Sequence, residues 1–145
     1  MEKRIEGLLA QGGLCVLCTA SQNKPHCSLM GYWWEPGCGS IFMVTSSQST
    51  KYRNILENPN VSLLVQAPQC EFPPDLSRMS ALTIQGVAQA VRDEKRLGPL
   101  RQAMLARHTH LACLVENPQA VFLEVKPRAF LLLEGVEEAY FEEAD

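Results

Sequence analysis

Apolar residues along this chain alternate with polar ones or gather in short runs, a pattern of strands separated by turns with few helical stretches between them. Ile5, Leu8 and Leu9 sit at helical spacing, and Gly12-Gly13 after them predicts where that opening helix stops. Residues 14–20 read as a buried strand, followed by the polar turn Ser21-Gln22-Asn23-Lys24-Pro25. Residues 26–34 predict a second strand whose Trp33 and Trp34 point to opposite sides, and Glu35-Pro36-Gly37-Cys38-Gly39 turns it back. Residues 41–45 predict a third strand. A helix from about Ser49 buries Tyr52, Ile55 and Leu56, and Asn58-Pro59 stops it. Val61, Leu63 and Val65 then alternate with Ser62, Leu64 and Gln66 as a fourth strand.

Residues 67–80 contain three prolines, which excludes a central strand; they form the longest irregular connection and are placed as a flap over a site. Alternation returns over residues 81–91, with Leu82, Ile84, Ala88 and Ala90 on one face and Gly86 marking a bulge or a close backbone approach. Pro99 suits the first turn of a helix presenting Leu100, Met104, Leu105, Leu111 and Ala112 to a core, broken at Asn117-Pro118. Residues 121–125 and 129–133 close the chain as two strands pinned by Lys126-Pro127. Strands this numerous, joined by short connections and flanked by helices, predict a mainly β fold: an antiparallel barrel rather than a βαβ layout. No GxGxxG follows any strand, so a Rossmann reading fails. No repeat or linker divides the chain, and residues 1–145 read as one domain.

Composition narrows the partners. A hydrophobic fraction of 46% with 20% charged residues is that of an ordinary globular protein. The net charge of −3 provides no broad footprint for nucleic acid. No apolar run approaches the roughly 20 residues needed to cross a bilayer, and no secretory core follows the N-terminal residues, so a cytoplasmic protein is expected. Glu134, Glu137, Glu138, Glu142, Glu143 and Asp145 read as a solvated acidic tail without a function. Of the six cysteines, Cys15 and Cys18 form a CxxC, but within a strand they face opposite sides and share no ligand well. With Cys27, Cys38, Cys70 and Cys113 scattered singly, free cysteines acting as small buried hydrophobes are the expectation, and structural disulfides are not.

Candidate chemistry lies between the third and fourth strands. There the apolar run opens into a turn with hydroxyls at Thr45, Ser46, Ser47, Ser49 and Thr50, then a short helix bearing Lys51 and Arg53. Helix-start amides, hydroxyls and a cation or two make a receptor for a phosphate group; such turns also serve as plain N-caps. No serine is paired with a histidine and an acid at a recognisable spacing. His108 and His110 stand at i and i+2, too poorly aligned for a metal pair, and read as surface or capping residues.

The order of these segments is distinctive: Leu14-Cys-Val-Leu-Cys-Thr-Ala, a turn with Pro25, His26-Cys-Ser-Leu-Met-Gly, Ile41-Phe-Met-Val-Thr, Ser49-Thr-Lys51, Asn54-Ile-Leu-Glu-Asn58-Pro59-Asn-Val-Ser-Leu-Leu, and Leu82-Thr-Ile-Gln-Gly86-Val-Ala88. The chain resembles the FMN-binding split β-barrel family of pyridoxamine 5′-phosphate oxidase-like flavoproteins, specifically over about 14–91 and loosely at 120–134. The resemblance implies a six- to seven-stranded antiparallel split barrel of Greek-key type. It implies FMN at the interface of a homodimer, with His26, Cys27, Ser28 and Leu29 along the flavin and Val44, Thr45 and Ser46 beside it. Ser49, Thr50 and Lys51 would then take the phosphate, with Lys51 as clamp and Arg53 or a partner residue compensating for Thr50, where the family often has arginine.

The departures have consequences too. The C-terminal Trp-Arg segment of the full oxidase is replaced here by Tyr140-Phe-Glu-Glu-Ala-Asp, and the position of a family glutamine falls near Ala81. True pyridoxamine 5′-phosphate oxidase activity is therefore not expected. The resemblance implies instead an oxidoreductase or flavin reductase using a nicotinamide donor, since the flavin carries the hydride chemistry. Two alternatives stand beside it: a haem-binding or haem-handling split barrel, with His26, His108 or His110 as axial ligand, and a non-catalytic FMN carrier or sensor.

Overall fold

The computed structural model of the protein describes residues 1–67 and 72–145. Its element order is α1 (Lys3–Gln11), β1 (Leu14–Ser21), β2 (Lys24–Gly31), β3 (Trp33–Glu35), β4 (Ser40–Ser46), α2 (Thr50–Glu57), β5 (Asn60–Gln66), β6 (Ser80–Ala90), α3 (Glu94–Arg107), α4 (Ala112–Val115), β7 (Ala120–Glu134) and β8 (Glu138–Glu143). All strands belong to one antiparallel sheet in the order β2-β1-β5-β6-β7-β4-β3, with β8 also on β7. The curled sheet is the split barrel expected from the sequence, with an eighth strand added. Part of the expected flap, including Cys70, lies outside the described residues; residues 72–78 are exposed.

Local chemistry explains most boundaries. Gln22 and Asn23 both have positive φ, 52° and 62°, which makes the two-residue turn between β1 and β2 the kind that matches strand twist. Ser49 caps α2 by accepting the Tyr52 amide, and Asp93 caps α3 by accepting that of Lys95. The barrel interior holds Ile5 and Leu9 of α1 with Leu17, Met43, Leu63, Leu82, Ile84, Leu123 and Phe130. A second apolar cluster, Phe42, Val44, Leu97, Met104, Val115 and Phe122, lies where α3 and α4 cover β4 and β7. Strand β4 is therefore buried on both faces.

Several expectations change. Residues 26–34 are not one strand: the chain breaks at Tyr32, leaving β2 at one end of the sheet order and β3 at the other. Tyr32 is 2% exposed, and its hydroxyl donates to the Leu9 carbonyl at 2.9 Å. Its main-chain carbonyl accepts from His108 Nε2 at 2.9 Å. Arg107 adds contacts to the carbonyls of Ala10 and Gln11, so the α1 carbonyls left over at the helix end are satisfied. Trp33 and Trp34 do separate, towards the second cluster and the interior respectively.

The helix expected at Pro99 begins five residues earlier, at Glu94, so Pro99 lies inside α3; Leu111 and Ala112 belong to the turn and short helix beyond it. Leu56 is 62% exposed, because α2 buries only Tyr52 and Ile55. The two strands expected at 121–133 are the single strand β7. Pro127 is tolerated because β4 pairs with residues 120–125 and β8 with 129–134 of the same strand, leaving 126–128 between them. On its other edge β7 meets β6, whose register shifts between Gln85 and Gly86. A Cβ on Gly86 would stand 2.8 Å from the Lys126 carbonyl oxygen, the close approach anticipated there. The acidic tail is not simply solvated: β8 runs through it, and Tyr140 packs on the core.

Candidate functional site

Strand β2 ends the sheet order, and β3 stops pairing with β4 at Phe42, so β2 and residues 43–46 of β4 each keep one edge without a strand partner. The two strands approach one another across this seam. The start of α2 stands beside it, because Thr45 at the end of β4 donates its hydroxyl to Ser49 Oγ at 3.0 Å. Ser49 Oγ also accepts the Tyr52 amide at 3.2 Å, which leaves its own proton available to donate. Among the described residues nothing accepts the main-chain amides of Thr50 and Lys51. Two free amides and one free hydroxyl proton at a helix start fit a phosphate oxygen cluster.

Next to that turn is a cleft of about 370 Å³ lined by Ser21, Lys24, His26, Thr50, Arg53 and Asn54, among others. Asn54 Nδ2 donates to the buried Thr19 hydroxyl at 3.0 Å and thereby fixes α2 on β1. Arg53 donates weakly to Thr50 Oγ1 at 3.4 Å. Ser21 and Glu57 hydrogen-bond on the same cleft wall.

The candidate residues divide as follows. His26 and Thr50 share the cleft, and Ser28, 3.3 Å from His26 Nε2, lies on the same side of β2. Cys27 and Leu29 point to the outer face, in register with Cys18 and Val16, and Leu29 is 72% exposed. Thr45 is buried and Ser49 half-buried within the capping turn. Val44 is buried under α3 and α4, so its side chain faces away from the seam. Ser46 accepts the Gln48 amide at 3.1 Å. Lys51 is half-buried and is not among the cleft's lining residues. Sequence reasoning missed Lys24, although its parity with His26 on one strand was available.

A larger cavity, of about 650 Å³, is elsewhere, between β4, β7 and β8. At its wall Glu124, 3% exposed, accepts Ser40 Oγ at 2.8 Å and Arg96 at 2.9 Å. Burial pushes the Glu124 carboxyl up, but these hydrogen bonds and the Arg96 charge outweigh it and hold it below its ordinary value. Lys126 and Arg128 face Glu142, Glu143 and Asp145 across this cavity, so it carries no dominant charge.

Two other expectations are corrected. Of the five described cysteines only Cys15 is buried; Cys18 is half-buried and Cys27, Cys38 and Cys113 are exposed. His108 is no surface residue, being 5% exposed with Nε2 on the Tyr32 carbonyl, but it does stand at the C-cap of α3, and His110, whose ring it meets edge-on at 5.7 Å, is exposed as expected. No described helix is long and apolar enough to cross a membrane.

Comparison with solved structures places the fold. A heme binding protein from Mycobacterium smegmatis superposes with a TM-score of 0.81 at 19% identity, covering 94% of this chain and 55% of that one, so this chain spans about half of its length. HutZ, the heme storage protein from Vibrio cholerae, gives 0.72 at 20% identity, covering 96% and 92%. General Stress Protein 26 from Bacillus anthracis gives 0.74 at 19% identity, covering 98% and 97%. No curated protein matches the sequence. The sequence profile described as pyridoxamine 5′-phosphate oxidase matches residues 1–134. With nearly the whole chain matched and the split barrel in place, this protein belongs to the pyridoxamine 5′-phosphate oxidase family.

Proposed function

We propose that this chain is an FMN-binding flavoprotein that holds the cofactor at the seam between β2 and β4, phosphate end at the start of α2. The observation that carries this reading is the Thr45–Ser49 pair, which leaves the Ser49 proton and the Thr50 and Lys51 amides free beside a cleft containing Lys24, His26 and Arg53. FMN supplies a two-electron acceptor for a hydride, and a reduced nicotinamide is the donor class we propose. The chain's own part is to bind the phosphate, to present the edge of β2 to the ring, and to exclude water from the seam. Oxidation of a phosphorylated vitamer is not part of the proposal, because Tyr140-Phe-Glu-Glu-Ala-Asp stands where the full oxidase of this family carries its Trp-Arg segment.

A homodimer completes this reading. Leu29, Val16, Leu64, Thr83, Leu131 and Phe141 stand in direct register across six strands on the outer face of the sheet. Leu29, Leu64 and Phe141 are 72%, 41% and 59% exposed, with Leu14 and Leu133 on the same face. Apolar surface so continuous favours a protein partner, and a second copy of the chain is the one we assign.

Titration of the purified chain with FMN, riboflavin and hemin, with light scattering on each sample, tests the proposal. FMN binding well above riboflavin, to a dimer, is the expected result; equal affinity for riboflavin overturns the phosphate assignment. Haem handling is the second reading, favoured by the names of two similar structures and by His26 on the cleft wall. A Soret band that is lost in His26→Ala would select it.

A further inference from the structure

We propose that Cys18 and Cys27 form a reversible intrachain disulfide, making the outer face of the β1–β2 hairpin a site of oxidative modification. The two residues are direct register partners, and their sulfurs lie 3.4 Å apart. The hairpin itself dictates that closeness. Its two-residue turn makes Ser21 and Lys24 a hydrogen-bonded pair, and pairs alternate from there, so Ala20–Pro25 and Cys18–Cys27 are both non-hydrogen-bonded. Pro25, which has no amide hydrogen, confirms the parity: only at such a site does a strand residue leave its amide pointing away from the partner. Non-hydrogen-bonded partners have Cα atoms about 4.5 Å apart, inside the range of about 4.4–6.8 Å that a disulfide spans. The bond therefore forms without moving either strand far.

The pair differs from the other thiols. Cys15 is buried, and among the described residues no other two cysteines come within hydrogen-bonding distance. Cys27 is exposed and meets the oxidant; Cys18 is half-buried. Burial, then the contact with Cys27, pushes the Cys18 thiol up to about 11, which keeps it protonated until it acts as the resolving group. The oxidant is a peroxide. It takes two electrons from the Cys27 sulfur, giving the sulfenic acid and one water. The Cys18 sulfur then attacks; the S–S bond forms as the S–O bond breaks, and the Cys18 proton leaves with the hydroxide as a second water. A dithiol reverses the step by exchange, becoming a disulfide itself as both cysteines regain their protons. The cross-link ties the edge strand β2 to β1 two register pairs beyond the Val16–Leu29 step of the apolar row, on the same face.

The test is hydrogen peroxide treatment of the folded full chain, then denaturation, thiol titration and peptide mapping without reduction. The six titratable thiols should fall to four, with Cys18 and Cys27 in one linked fragment, the chain still monomeric on a denaturing gel, and dithiothreitol restoring all six. In Cys18→Ser the sulfenic acid on Cys27 should persist and be captured by dimedone. The proposal is overturned if both thiols survive peroxide, if either links mainly to another cysteine, or if the cross-link joins two chains.

Discussion

His108 donates its Nε2 hydrogen to the main-chain carbonyl of Tyr32 at 2.9 Å, and a carbonyl facing the ring fixes which nitrogen carries the proton. The bond holds the point where the chain leaves β2 for β3, and it ties that point to the end of α3. Tyr32 passes the restraint on, through its hydroxyl, to Leu9 of α1.

Replacing His108 with Ala should therefore destabilise the fold by about 2–4 kcal/mol, combining an unpaired buried carbonyl with a cavity. Urea unfolding measures this. A loss under 0.5 kcal/mol, the range of ordinary surface changes, would make His108 a bystander.

Gly86→Ala should cost about 1–3 kcal/mol, because the new methyl meets the Lys126 carbonyl oxygen at 2.8 Å and Val125 Cγ1 at 2.9 Å. Gly98→Ala, where a Cβ meets nothing within 4 Å, is the matched control and should be neutral or stabilising. Thermal melts of the pair separate crowding from glycine's backbone freedom.

Arg96→Met leaves Glu124 buried with Ser40 alone. The folded carboxyl of the parent is held below its ordinary value of 4.5, so its contribution to stability is present above that value and is lost as pH falls through the folded pKa. The variant should be about 1–2 kcal/mol less stable at neutral pH, the low end for a charged hydrogen bond because Arg96 is 42% exposed. The gap should close below 4.5. Urea midpoints measured across that range decide it; a gap that does not change with pH would mean the pair contributes only packing.

At the proposed FMN site, Arg53→Ala should weaken FMN by about 1.5–3 kcal/mol and leave riboflavin unchanged, since the guanidinium lines the cleft. Lys51→Ala should cost less, its amide being retained. Flavin fluorescence titrations give both numbers, and the reverse order would return the clamp to the Lys51 side chain.

Much of the fold was legible because β1 is a short apolar run, because β5 and the start of β6 alternate cleanly, and because Gly12, Ser49, Asn58-Pro59 and Gly86 punctuate the chain by local rules. What stayed hidden depends on distant partners. The break at Tyr32 is set by Leu9, Gly13 and His108. Pro127 looks like a strand end until β4 and β8 are seen to divide the edge of β7. Pro99 masked the first turns of α3, although Asp93-Glu94 carries a capping signal. At the site, the motif located the turn and His26, but strand parity separates Cys27 and Leu29 from them, and covering helices turn Val44 away.

The seam between β2 and β4 has a mechanical consequence. Among the described residues no ladder hydrogen bond spans it, and the two edges are joined covalently through Gly31 and Tyr32. That junction is pinned by the hydrogen bonds of Tyr32 to Leu9, Gly13 and His108, so the spacing of the two edges is set by this anchor and by side-chain packing rather than by strand pairing. The barrel combines a wall knitted together by strand pairing with one seam closed by packing alone, so a guest that fills the seam displaces side chains and no ladder hydrogen bond.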